Sequence, residues 1–149
     1  MLTKGKVEVP HYVILRKEFD ENEKYVLHKH TIPSFISVVA LCEECLDRGV
    51  AGLEQFALTL HRHLVLLSNR MATVSRLQNL KGVEEAKADE AVRLVEIVTS
   101  KWTAKIVLLD GGERCVVLNK DQRLMDVEKK ILDTGGEKLD IVERIANAL

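Results

Sequence analysis

Apolar and polar positions change rhythm several times along this chain of 149 residues, and each rhythm predicts an element. The longest uniform stretch runs from Ala51 to Leu80 and reads as one helix, stopped by Lys81-Gly82. At about 100° per residue, Leu53, Phe56, Leu60, Leu64, Leu67, Met71 and Val74 share one face. Leu58, Val65, Leu66, Leu77 and Leu80 fall elsewhere around the barrel. So wide an apolar arc asks for a second neighbour, either another helix of the chain or a partner molecule. Ser68-Asn69 is a weak interior where a kink or a split is expected, because both side chains compete for backbone hydrogen bonds.

The flanking segments follow from the same reading. Residues 6 to 30 alternate, with the polar turn DENE in the middle, and predict two strands joined as a hairpin. Ser34 is a suitable N-cap for a first helix, SFISVVALCEECLDR, that stops at Gly49. From Val83 to Trp102 the residues Ala91, Leu94, Val95, Val98 and Trp102 recur at helical spacing, with Asp89 and Arg93 as an i,i+4 pair, and predict a third helix. KIVLL and RCVVLN flank Asp110-Gly111-Gly112 and predict a second hairpin. Asn119 and Gln122 have capping-box spacing before a helix through Leu132, which Gly135-Gly136 ends, and KLDIVERIANAL adds a short amphipathic helix. The resulting expectation is an α+β fold, mostly a helical bundle of about five helices around a long central one. Two β-hairpins are expected to pair into one small antiparallel sheet, since an isolated hairpin is marginal in water. A single domain is expected over 1–149: N-terminal hairpin 1–33, helical body 34–102, second hairpin 103–120 and C-terminal helices 121–149.

Composition narrows the setting. Charged residues make up 30% of the chain, above the usual quarter or so, and the balance toward Lys and Glu resembles that of thermophilic proteins. A net charge of −1 excludes a globally basic nucleic-acid binder, so any such contact has to be local. No apolar run reaches the ~18 residues of a membrane span, and the N-terminus lacks the apolar segment of a signal peptide. A cytoplasmic protein is expected. Three cysteines do not make a secreted disulfide framework.

Signatures of catalysis are missing: no Walker loop, GxGxxG, HExxH or GxSxG occurs. A PD-(D/E)xK nuclease would need an acid where Leu118 stands before Lys120, so Asp110 reads as a turn residue. Cys42 and Cys45 have half-zinc-site spacing, and His28 and His30 could supply the other half. Yet both thiols continue the apolar side of Val38, Leu41 and Leu46, and buried cysteine is a common small hydrophobe. His61 and His63, two apart on a helix, face apart and cannot share an ion. No metal and no cofactor are expected. The long helix offers a basic arc of Arg62, His63, Arg70, Arg76 and Lys81 against Glu54 alone, a candidate for weak, sequence-independent nucleic-acid contact. Against it stands an ordinary solvated face, or arginines paired with acids on neighbouring elements.

The function expected from these observations is a non-enzymatic assembly subunit of a larger complex, whose long helix packs against protein partners or a second copy, with possible nucleoprotein contact. In layout alone, a helical body with a small β part and a basic arc, the chain resembles the small subunits of archaeal CRISPR effector complexes, a fold-level analogy. The alternatives are a transcription regulator of winged-helix type and a zinc-stabilised interaction module. A winged helix is opposed by charge. Residues 83 to 101 carry five acids against three bases, and the wing tip, Asp110 to Glu113, is acidic as well.

Overall fold

The computed structural model describes residues 10–19, 24–109, 112–120, 122–132 and 139–149. The chain divides into two compact units, residues 1–63 and 64–149. In the first, β1 (Val13–Lys17) and β2 (Tyr25–His30) form a two-stranded antiparallel sheet. The register steps from Ile14↔Lys29 to Leu15↔Leu27, so His28 is the extra residue of a bulge. The helix α1 (Val38–Cys45) begins four residues beyond the predicted cap at Ser34, since 34–36 are a turn closed by the Ile36 N–H on the Pro33 carbonyl. A 3₁₀ turn, Leu46–Arg48, leads to Gly49, whose φ of 65° lets the chain change direction into α2 (Gly49–Gln78). At Gly52 a Cβ would stand 1.8 Å from the Cys45 carbonyl oxygen, so the first turn of α2 lies against α1 only because that side chain is missing. Ile32, Val38, Cys45, Leu46, Phe56 and Leu60 are buried in this unit.

The 30-residue helix α2 continues through Ser68-Asn69, so the helix is not split there. Polar groups are absorbed along the helix, Arg70 Nε donating to the Leu66 carbonyl at 3.2 Å and the Thr73 hydroxyl to the Asn69 carbonyl at 3.0 Å.

The second unit is built on a five-stranded antiparallel meander, β3 (Val83–Ala88), β4 (Leu94–Thr99), β5 (Thr103–Leu109), β6 (Gly112–Asn119) and β7 (Gln122–Arg123), each pairing with the next. α3 (Met125–Leu132) and α4 (Ile141–Ala148) follow. One face of the sheet contributes Ala86, Val95, Ile97, Ala104, Ile106, Cys115 and Val117 to a core completed by Val74 and Leu77 of α2, Ile131 of α3 and Ile145 of α4. Along β4 the alternation is strict, with Val95, Ile97 and Thr99 buried and Leu94 and Glu96 exposed.

The mostly helical bundle is therefore wrong, as is the expected third helix from Val83 to Trp102. Among the described residues there are three helical segments (38–78, with the 3₁₀ turn Leu46–Arg48 between α1 and α2; α3; α4) and seven strands in two sheets. Val95, Ile97, Val98 and Thr99 are β-branched and favour a pleated surface. Asp89 makes no helical pair with Arg93. Its carboxylate accepts the backbone N–H groups of Arg93 and Leu94, both at 2.7 Å, which holds a turn whose Val92 has a φ of 53°. The two expected hairpins do not form one sheet: β1 and β2 pair only with each other, and β5–β6 pairs with β4 and β7. Asn119 and Gln122 pair across the β6–β7 turn instead of opening a helix. The DENE turn, Asp110-Gly111 and the stop at Gly135-Gly136 lie outside the described residues.

Candidate interaction surfaces

Buried charges are the first place to seek chemistry, and here each is taken up by the fold. Glu128 of α3, 5% exposed, accepts the Val117 N–H at 3.0 Å and both Nε and a terminal nitrogen of Arg123, at 2.8 and 2.9 Å. The Arg123 hydrogen bond holds its carboxyl below the usual value against the cost of burial, helped by the Val117 N–H. Arg144 of α4, equally buried, donates to the Ile131 carbonyl at 2.9 Å and lies 3.2 Å from Glu113. It thus satisfies an open carbonyl at the end of α3. Neither role was read from the sequence. The available signal was that Arg144 shares a stripe with Ile141, Ile145 and Ala148, an apolar side on which a charge needs a partner.

The thiols sit among apolar groups. Cys45 is buried, and burial, then Cys45 and Glu43, raise the Cys42 thiol. Cys115 in β6 is pushed up to about 11 by burial and then by Glu128. His30 accepts the Ile32 N–H at 3.2 Å through Nδ1, and His28 is exposed at the bulge. Among the described residues no group of three or more His, Cys, Asp or Glu side chains comes together.

The basic arc is divided between the units. Arg62 and His63 are exposed at the end of the first. Arg70, Arg76 and Lys81 belong to the second, and there Arg76 is ion-paired with Asp140, the N-cap of α4. Burial pushes the Asp140 carboxyl up, but the Glu143 N–H and Arg76 outweigh it and leave it below its ordinary value. Arg70 is half-buried, held to its own helix, and no carboxylate pairs with it among the described residues.

Apolar surface left open is the more prominent feature. On α2, Val50 is 68% and Leu58 64% exposed in the first unit, and Val65 is 41% and Met71 55% exposed in the second. Met71 departs from the expected core face, while Leu77, placed off that face, is only 1% exposed, because the sheet of the second unit covers the last turns of the helix from that side. A groove of about 170 Å³ also opens in the second unit, between α2, the β5–β6 hairpin and the start of α4. These surfaces present side chains for contact, and no group able to hold a metal ion assembles among the described residues. A family model described as Cenp-O kinetochore centromere component matches residues 1–145. No curated protein matches the chain.

Proposed function

The chain belongs to the Cenp-O kinetochore centromere component family, and from that premise we propose that it is a non-enzymatic subunit held in a kinetochore assembly by protein contacts along α2. The observation that carries the reading is the exposure of Val50, Leu58, Val65 and Met71 on α2, although each unit has its own buried core. Contiguous open apolar surface marks interaction sites, and these four side chains recur every six to eight residues, about two turns apart, along one helix. The same helix is the proposed route of self-association. A kinetochore component works on chromosomes, so the cytoplasmic placement expected from sequence gives way to a chromosomal one. The winged-helix alternative loses its basis because 83–102 holds the strands β3 and β4 and no helix, and the CRISPR small-subunit analogy rested on a mostly helical body that the chain does not have.

Nucleic-acid contact ranks second. Arg76 is neutralised by Asp140, which leaves Arg62, Arg70 and Lys81 as bases of the arc with no carboxylate partner among the described residues. Three charges release few counterions, so binding would be weak and would fade with added salt. Size-exclusion chromatography with light scattering of the full chain, alone and with co-expressed kinetochore subunits, tests the main reading. Co-elution lost in the Leu58→Lys, Met71→Lys double variant with its fold intact supports it, and unchanged co-elution of that variant removes α2 as the contact.

A further inference from the structure

We propose that the groove in the second unit takes an extended segment of a partner protein, one bulky apolar side chain beside a carboxylate. The inference rests on the assembly reading and adds the chemistry of one contact. Leu66, Asn69, Arg70 and Thr73 lie at steps of three, four and seven along α2, so they form one stripe, and Leu108 and Ile141 stand across from it. The opening, about 170 Å³, is close to the ~150 Å³ apolar cavity that accommodates a benzene ring. It has room for one leucine- or phenylalanine-sized group.

Charge selects the neighbour of that group. Around the groove, Arg144 faces Glu113 at 3.2 Å and Arg76 is paired with Asp140. Among the described residues Arg70 has only its Nε bond to the Leu66 carbonyl, at 3.2 Å. That bond pins the side chain along the stripe, and no acid among the described residues takes its terminal nitrogens. A guanidinium fixed in this way matches the two oxygens of a carboxylate. Glu113 does not cancel it, because Arg144 engages the Glu113 carboxylate. A nucleic-acid phosphate would satisfy Arg70 but would leave the half-buried Leu66 and the exposed Leu109 of the lining without an apolar partner, so the groove favours peptide.

The test is a titration of the isotope-labelled full chain, followed by amide chemical shifts, with millimolar acetyl-Gly-Leu-Glu-Gly-amide. Parallel titrations use the same peptide with Gln for Glu, the same with Ala for Leu, and a short DNA duplex. Saturable shifts confined to 66–73, 108 and 141 are expected, with binding weakened roughly tenfold for either altered peptide, about 1.4 kcal/mol. Arg70→Gln should abolish the preference for Glu over Gln, and Thr73→Trp, which fills the groove, should block all three peptides in a chain whose remaining spectrum is unchanged. Absence of saturable shifts, equal affinity for the Glu and Gln peptides, or stronger and salt-sensitive shifts with the duplex would overturn the proposal. If the peptides fail while the chain still co-elutes with kinetochore subunits, the groove assignment alone falls. If co-elution fails too, the assembly reading falls with it.

Discussion

Glu128 shows how one side chain ties three elements. Its carboxylate receives the β6 backbone at Val117 and the Arg123 fork of β7, from a position on α3. Glu128→Ala leaves the Val117 N–H buried without an acceptor and should cost about 1–3 kcal/mol, read as a shift of the urea midpoint. Glu128→Gln keeps an acceptor and should cost less. Because its folded pKa lies below the ordinary 4.5, the ionised group stabilises fully above that pH, and the contribution is lost as pH falls through the folded value. The gap between wild type and Glu128→Ala should therefore narrow below pH 4.5. Asp140 caps α4 by accepting the Glu143 N–H at 2.9 Å, and the Glu143 side chain answers to the Asp140 N–H at 2.9 Å. Asp140→Ala should cost about 1 kcal/mol. Arg76→Ala, which removes only an exposed ion pair, should cost less, at most about 1 kcal/mol. Cys115, its thiol pushed up to about 11, should resist alkylation at neutral pH until the chain is unfolded.

Among the elements, the region 83–102 separates what the sequence discloses from what it hides. Val95, Val98 and Trp102 fall at spacings shared by a helix, while Val95, Ile97 and Thr99 fall at the spacing of a strand, and both sets occur in the same residues. Burial decides for the strand: Val95 and Ile97 are wholly covered while Glu96 between them is exposed. Ile97→Ala should therefore cost about 2–5 kcal/mol, as expected of a central-strand core position, measured by thermal or chemical unfolding. The long helix was legible because 30 residues repeat one period without proline. Its neighbours were not, since which side of Met71 or Leu77 is covered depends on where the sheet lies. Gly52 was read only as part of that helix, though a Cβ there would stand 1.8 Å from the Cys45 carbonyl oxygen, which makes it a contact point. Gly52→Ala should destabilise by about 1–3 kcal/mol, opposite in sign to the gain that alanine gives in an ordinary helix interior. Of the candidate site residues, Arg70 and Arg76 were found as bases, but their different fates were not readable. Asp140 is 64 residues from Arg76 in the chain, and nothing local marks the pairing.

For the whole molecule, membership of the Cenp-O kinetochore centromere component family and the open apolar residues of α2 bear on the same account, in which contact replaces chemistry. Self-association and hetero-assembly make separate demands on one helix, and the Leu58→Lys, Met71→Lys variant should weaken both while leaving the unfolding midpoint near wild type, because both side chains are largely exposed. The most direct measurement is native mass spectrometry of the endogenously tagged full chain isolated from cells, beside that double variant. The expected result is wild-type chain in complexes of fixed stoichiometry with kinetochore subunits and the folded variant recovered without them. Wild-type chain recovered alone as a monomer, or the variant recovered in the same complexes as wild type, would contradict the account.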